Sequence, residues 1–126
     1  MIIVRNKFIP LDGFKAMTIW PFIFVRSNEE MYDDDLNHEK IHGCQQLEML
    51  VVGAIISVAF SFYGFGWWSL LGLLVYFVWY SIEWFIRMFF NADAYRSIAF
   101  EQEAYDNEDN EDYIATRSPF TWLIYY

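Results

Sequence analysis

A chain of 126 residues makes one domain rather than two. Its 56% hydrophobic and 22% aromatic content is high for a small soluble domain and points to a membrane. The formal net charge of −9 argues against nucleic acid as a partner, and the single cysteine, Cys44, rules out a disulfide within the chain.

The start, Met1 to Lys7, does not read as a signal peptide: it has no apolar core of sufficient length and no small-residue cleavage site. No internal repeat or lipidation motif stands out. Residues 2–9 and 14–26 read as strands, rich in Ile, Val, Phe and Trp, with Pro10-Leu11-Asp12-Gly13 as the turn between them. Pro21 inside the second run suggests an edge or a bulge. The simplest expectation is a two-stranded β-hairpin over residues 1–26. Such a hairpin could offer an edge to an extended peptide or form a lid over a neighbouring site.

Ser27 to Asp35 is polar and acidic. It predicts a loop entering a helix, with Asp34 or Asp35 as N-cap at the positive end of the helix dipole. The helix over 35–62 opens with Asn37-His38-Glu39-Lys40-Ile41-His42, an HExxH motif holding both histidines of the chain. Residues i and i+4 share a helix face, so both imidazoles can address one ion. Two neutral imidazoles are good zinc ligands. Glu39 lies about 100° round the helix from His38, placing it to act as general base on water rather than as a ligand. Cys44 falls well off the line from His38 to His42 and reads as a small helix-packing residue.

From Met49 through Ile82 the chain contains no Asp, Glu, Lys or Arg. One membrane helix needs about 20 residues, so this run suffices for two short ones. The glycines in Tyr63-Gly64-Phe65-Gly66 predict a turn, leaving apolar helices at 47–62 and 67–90. Trp67, Trp68 and Tyr63 gather at the tip, and Trp79, Tyr80 and Trp84 toward the other end, as interfacial belts do. Glu83 and Arg87 are spaced to pair as the second helix leaves the apolar zone. A membrane helical hairpin follows, full-spanning or re-entrant, and it returns the chain to the side it left. The basic residues Arg5, Lys7, Lys15, Arg26, Lys40, Arg87, Arg96 and Arg117 all lie outside the tip, which predicts a cytoplasmic location for that side.

Residues 92–112 suit an acidic helix. Glu101 and Glu103 point roughly 200° apart on it, so one helix does not readily give both to one ion. The stripe Ala94, Ile98, Glu101, Tyr105 is more apolar than Arg96, Ala99, Glu103, Asp106. Glu101 is therefore preferred as third metal ligand, with Glu103 as the alternative. Asp106 to Asp112 reads as a solvated acidic end. The apolar tail, 118–126, is too short to span and is expected on the membrane surface or against the hairpin.

HExxH followed by a distant glutamate on a later helix resembles the gluzincin class of zinc peptidases. With a membrane hairpin between the two, the chain is most similar to the integral-membrane zinc peptidases of the CAAX prenyl protease type and the related bacterial heat-shock membrane protease. The resemblance covers His38–His42, Glu101–Ala104 and the hairpin layout, in a much shorter chain. In those families the glutamate ligand lies in an E-x-x-A-D setting. Here Glu101-Gln102-Glu103-Ala104 matches its start, which again favours Glu101, whereas Tyr105 stands where the aspartate should follow. The support that aspartate gives a ligand histidine would then fall to Asp106 or Asp93. The chain also resembles small uncharacterised membrane proteins with a similar NHExxH…Q and FExEAY pair.

The expectation is a mainly α domain: a short β-hairpin, the motif helix, a membrane helical hairpin and a C-terminal helix carrying the third ligand. In it His38, His42 and Glu101 hold Zn²⁺, and Glu39 serves as base in hydrolysis of a peptide or membrane-protein substrate at the bilayer surface. An oxyanion donor would come from Tyr95, Arg96 or Tyr105. Two rivals stand beside this: a non-catalytic protein whose zinc joins helix to helix, and a metal-free membrane interaction protein.

Overall fold

The computed structural model describes residues 1–11 and 13–126. The chain is mainly helical with a small sheet, in the order β1 (Ile2–Asn6), β2 (Ala16–Ile19), β3 (Phe22–Arg26), α1 (Asp33–Phe62), a 3-10 segment (Gly66–Leu74), α2 (Val75–Arg87), α3 (Ala99–Asn107), α4 (Tyr113–Thr116) and a final 3-10 turn (Thr121–Tyr125).

The N-terminal region is a three-stranded sheet instead of the expected two-stranded hairpin. The run from 14 to 26 divides at Trp20-Pro21 into β2 and β3, which pair antiparallel, Ile19 opposite Phe22. Proline has no N–H to give a ladder, so it sits in the turn rather than in a strand. β3 is central, and β1 joins its other edge in parallel, Ile2 opposite Phe22 and Asn6 opposite Arg26. Ile23 and Val25 of β3 are fully buried on one face, at the two-residue period of a half-covered strand. In the expected turn at Pro10–Gly13, Phe14 N–H donates to the Leu11 carbonyl; Asp12 lies outside the described residues.

Helix α1 begins a little earlier than expected. Tyr32 is its N-cap, and Asp33, Asp34 and Asp35 form its first turn. Asp35 Oδ2 accepts from the Tyr32 N–H at 2.9 Å and also pairs with Lys15, tying the approach to β2 to the start of the helix. The acidic triplet thus meets the dipole from inside the first turn.

At 30 residues, α1 is about 45 Å long. It passes from the HExxH motif into the apolar run without a break. The return leg is not one α-helix over 67–90. It starts as the 3-10 segment and becomes α-helical only at Val75. The two legs cross backbone to backbone at Gly53 and Gly72. A Cβ on Gly53 would lie 2.1 Å from the Gly72 carbonyl oxygen, and one on Gly72 would lie 2.6 Å from that of Gly53. Small residues at such a crossing are how helices pack where lipid surrounds them. Asp33–Phe62 and Gly66–Arg87 are both long and apolar enough to cross a membrane. Their outward side chains, such as Val51, Ile55, Val58, Leu71 and Trp67, are exposed.

The expected helix at 92–112 is shorter. Residues 92–98 form turns, α3 covers Ala99–Asn107, and α4 follows after a break. Glu83 explains where α3 starts: its Oε1 accepts the Ala99 N–H at 2.9 Å and the Arg87 guanidinium at 3.1 Å. A carboxylate there satisfies a free N–H at the positive helix end. Phe100 centres the core. Its ring lies 4.7 Å from those of both Tyr76 and Trp122, so α3 and the C-terminal tail close on the base of the hairpin.

Candidate metal and catalytic site

The proximal half of α1 is unusual in what it buries. Asn37, His38, Glu39, His42, Gln45 and Gln46 are all buried, between the sheet on one side and α3 on the other. Burying so many polar groups is costly unless each finds a partner.

Glu39 faces the sheet. The Thr18 hydroxyl lies 2.7 Å from Glu39 Oε2 and 2.9 Å from its carbonyl oxygen. Gln46 holds the same strand from one turn further on: its Oε1 accepts from the Trp20 N–H, and its Nε2 donates to the Thr18 carbonyl. Much of the outer edge of β2 is thereby occupied by α1, and the sheet holds the motif helix rather than standing open beside it.

His38 and His42 face α3. Their Nε2 atoms are 3.0 Å apart. His38 Nδ1 lies 2.8 Å from Glu108 Oε2, and His42 Nδ1 lies 2.8 Å from Gln45 Oε1. The Gln45 amide is oriented by its Nε2, which donates to the Phe100 carbonyl and to Glu103 Oε2, both at 2.9 Å. Where each ring carries one proton, these partners place it on Nδ1 and turn both Nε2 lone pairs toward each other and toward Glu101.

Glu101 completes the group. Its Oε2 is 3.5 Å from His38 Nε2, and its Oε1 is 3.4 Å from His42 Nε2. Oε1 also accepts from the Tyr80 hydroxyl at 2.8 Å, whereas Oε2 is buried without a hydrogen-bond partner.

Two bare nitrogens and an under-satisfied carboxylate converge on one point, an arrangement that repels itself unless a positive centre sits between them. A divalent ion answers all three. Ligands bonded at about 2.0–2.1 Å to a tetrahedral ion lie about 3.3–3.4 Å apart, close to the 3.5 and 3.4 Å from the imidazoles to the two Glu101 oxygens, whereas the two Nε2 atoms are nearer, at 3.0 Å. Among the described residues, His38, His42 and Glu101 are a group whose ligand atoms lie close enough together to hold a metal ion.

Glu103, the alternative ligand, is turned away. It is fully buried on the opposite face of α3. Arg117 Nε donates to its Oε1 at 2.8 Å, as does the Tyr113 hydroxyl at 2.9 Å. Arg117 also pairs with Glu48, whose Oε2 accepts from Trp122 Nε1. Glu103 is thus neutralised by Arg117 and supports Gln45, which in turn orients His42.

The carboxylate beside a candidate ligand histidine, His38, is Glu108, in place of Asp106 or Asp93. Asp106 is exposed, and Asp93 accepts from the nearby Arg96 N–H. Glu108 stands seven residues after Glu101, two helical turns on, and so shares its face; that spacing was the available signal. Asn37 fixes this end of α3 by donating from Nδ2 to the carbonyls of Asn107, Glu108 and Asn110. Gln45 lies three residues after His42, within reach on the helix surface.

A cavity of about 370 Å³ opens beside the site, with Glu39, His42 and Glu101 in its wall. Of the three expected oxyanion donors, Tyr95 lines this cavity. Arg96 instead lies 4.2 Å above the Tyr105 ring, which packs against His38. Burial and the Glu101 charge push the Tyr95 hydroxyl well above the usual phenol range, so it keeps its proton. Cys44 is free and half-buried.

No family model, curated protein or solved structure matches this chain.

Proposed function

We propose that the chain is a small membrane-embedded zinc peptidase of the HExxH…E kind, cutting peptide bonds near the bilayer surface. The observation that carries the reading is the convergence of two bare imidazole nitrogens and the unpartnered Glu101 oxygen, with a second carboxylate, Glu39, held at the same cavity.

In this reading His38, His42 and Glu101 hold the ion. Zinc bound there would polarise a carbonyl and acidify water. Glu39 takes a proton from the attacking water and delivers it to the leaving amine. The Thr18 hydroxyl fixes the Glu39 carboxylate while leaving its other oxygen for that work. Tyr95, protonated and facing the cavity, donates a hydrogen bond to the oxygen of the scissile carbonyl as charge develops on it.

The exposed apolar hairpin supports insertion in a bilayer, and the basic residues away from its tip support a cytoplasmic active site. Glu39→Gln tests the assignment. In nanodiscs the variant should keep its zinc and lose about 10²–10⁴-fold in turnover of quenched peptide substrates. Unchanged turnover, or wild-type protein that retains no zinc, would overturn it.

A further inference from the structure

We propose that the cavity beside His42 and Glu101 seats a bulky apolar side chain of the substrate polypeptide, next to the bond that is cut. This rests on the peptidase reading above and adds selectivity to it.

The shape and chemistry of the cavity carry the inference. Its volume, about 370 Å³, suits a small ligand group. The carboxylates and imidazole in its wall belong to the proposed reaction site, and the remaining lining is largely apolar and includes Ala16 and Met17 of β2 and Tyr76 and Phe77 of α2. A charged side chain placed there would lose water and find no partner beyond the two carboxylates of the site. An aliphatic or aromatic one would bury its whole surface.

The rim shows from which side the group arrives. Leu11 is 77% exposed, and Trp84, on the same helix whose outer face carries Ile82 and Phe85 toward lipid, is 43% exposed. Both line the cavity. Exposed apolar side chains thus belong to its lining, and in this reading a membrane-held polypeptide enters past them.

Two measurements on the full chain in nanodiscs test this. Zinc-loaded protein is titrated with acetohydroxamic acid and with 3-phenylpropanohydroxamic acid, which share a zinc-binding head and differ in the apolar arm. The longer compound should bind at least tenfold more tightly. Ala16→Phe, which fills the cavity from β2, should abolish that gain and leave zinc content and acetohydroxamate binding unchanged. Metal-free protein is then titrated with the apolar fluorophore 1-aminoanthracene, which should bind saturably to wild type and not to Ala16→Phe. Equal affinities for the two hydroxamates, or a gain that survives Ala16→Phe, would overturn the proposal. Fluorophore binding that Ala16→Phe blocks, with no hydroxamate binding at all, would sink the peptidase reading, reveal a lipid-chain site and overturn the substrate assignment as well. Absence of saturable fluorophore binding would overturn the cavity itself.

Discussion

The two halves of α1 invert each other. Its distal half, with the return leg, exposes Val51, Ile55, Val58 and Phe62, and at its crossing buries little more than glycine backbone. Its proximal half buries His38, Glu39, His42, Gln45 and Gln46. In water both choices would be costly: the first leaves apolar surface wet, and the second dehydrates polar groups. The lesson is that one helix is built for two solvents. In the proposed reading lipid covers the distal half and a metal ion joins the ion pairs and amides that compensate the proximal half.

The contrast can be broken from either end. Arg117→Met should have the largest effect on stability. It leaves the buried Glu103 and the half-buried Glu48 carboxylates without their cation, at a cost of about 3–5 kcal/mol; thermal unfolding in detergent measures it. Ile55→Arg attacks the lipid-facing half. It should weaken membrane insertion by about 2.5–3.5 kcal/mol if that face meets the bilayer centre, read as the inserted fraction in a translocation assay. No change would mean that the face meets protein or water instead.

Smaller substitutions sharpen the comparison. Glu108→Gln removes the carboxylate behind His38 and should weaken zinc binding by about 10–100-fold without unfolding the chain, checked by competition with a chelating dye. Chelation of the wild type should raise hydrogen exchange around His38–His42 and α3 and leave the Gly53–Gly72 crossing protected. Uniform loosening would show that the two halves are not independent. Asp35→Asn should cost least, about 0.3–1 kcal/mol, because the amide oxygen still accepts the Tyr32 N–H and only the charge at the helix start and the pair with Lys15 are lost; thermal unfolding measures it.

Much of the site can be read from local spacing. The four-residue step from His38 to His42 puts both on one face of α1, and the apolar stripe of the later helix favoured Glu101 over Glu103 without deciding between them. Those judgements need only the helical period. The supports of the histidines were harder to see. Gln45 joins His42 to Glu103 and to the Phe100 carbonyl across more than fifty positions of sequence, so no local pattern announces it. The parallel pairing of β1 with β3 was equally hidden, because the two strands are not consecutive in the chain and no local turn signal links them.

The amino-acid order alone determined the motif helix, the uncharged run and the turn at Gly64–Gly66, since each follows from periodicity, composition or glycine's access to positive φ. Tertiary structure decided which glutamate meets the imidazoles, that Glu108 rather than Asp106 or Asp93 stands behind one of them, and that Arg117 reaches Glu103. These outcomes depend on where α3 docks, and Phe100 and Glu83 set that docking through contacts between segments far apart in the chain.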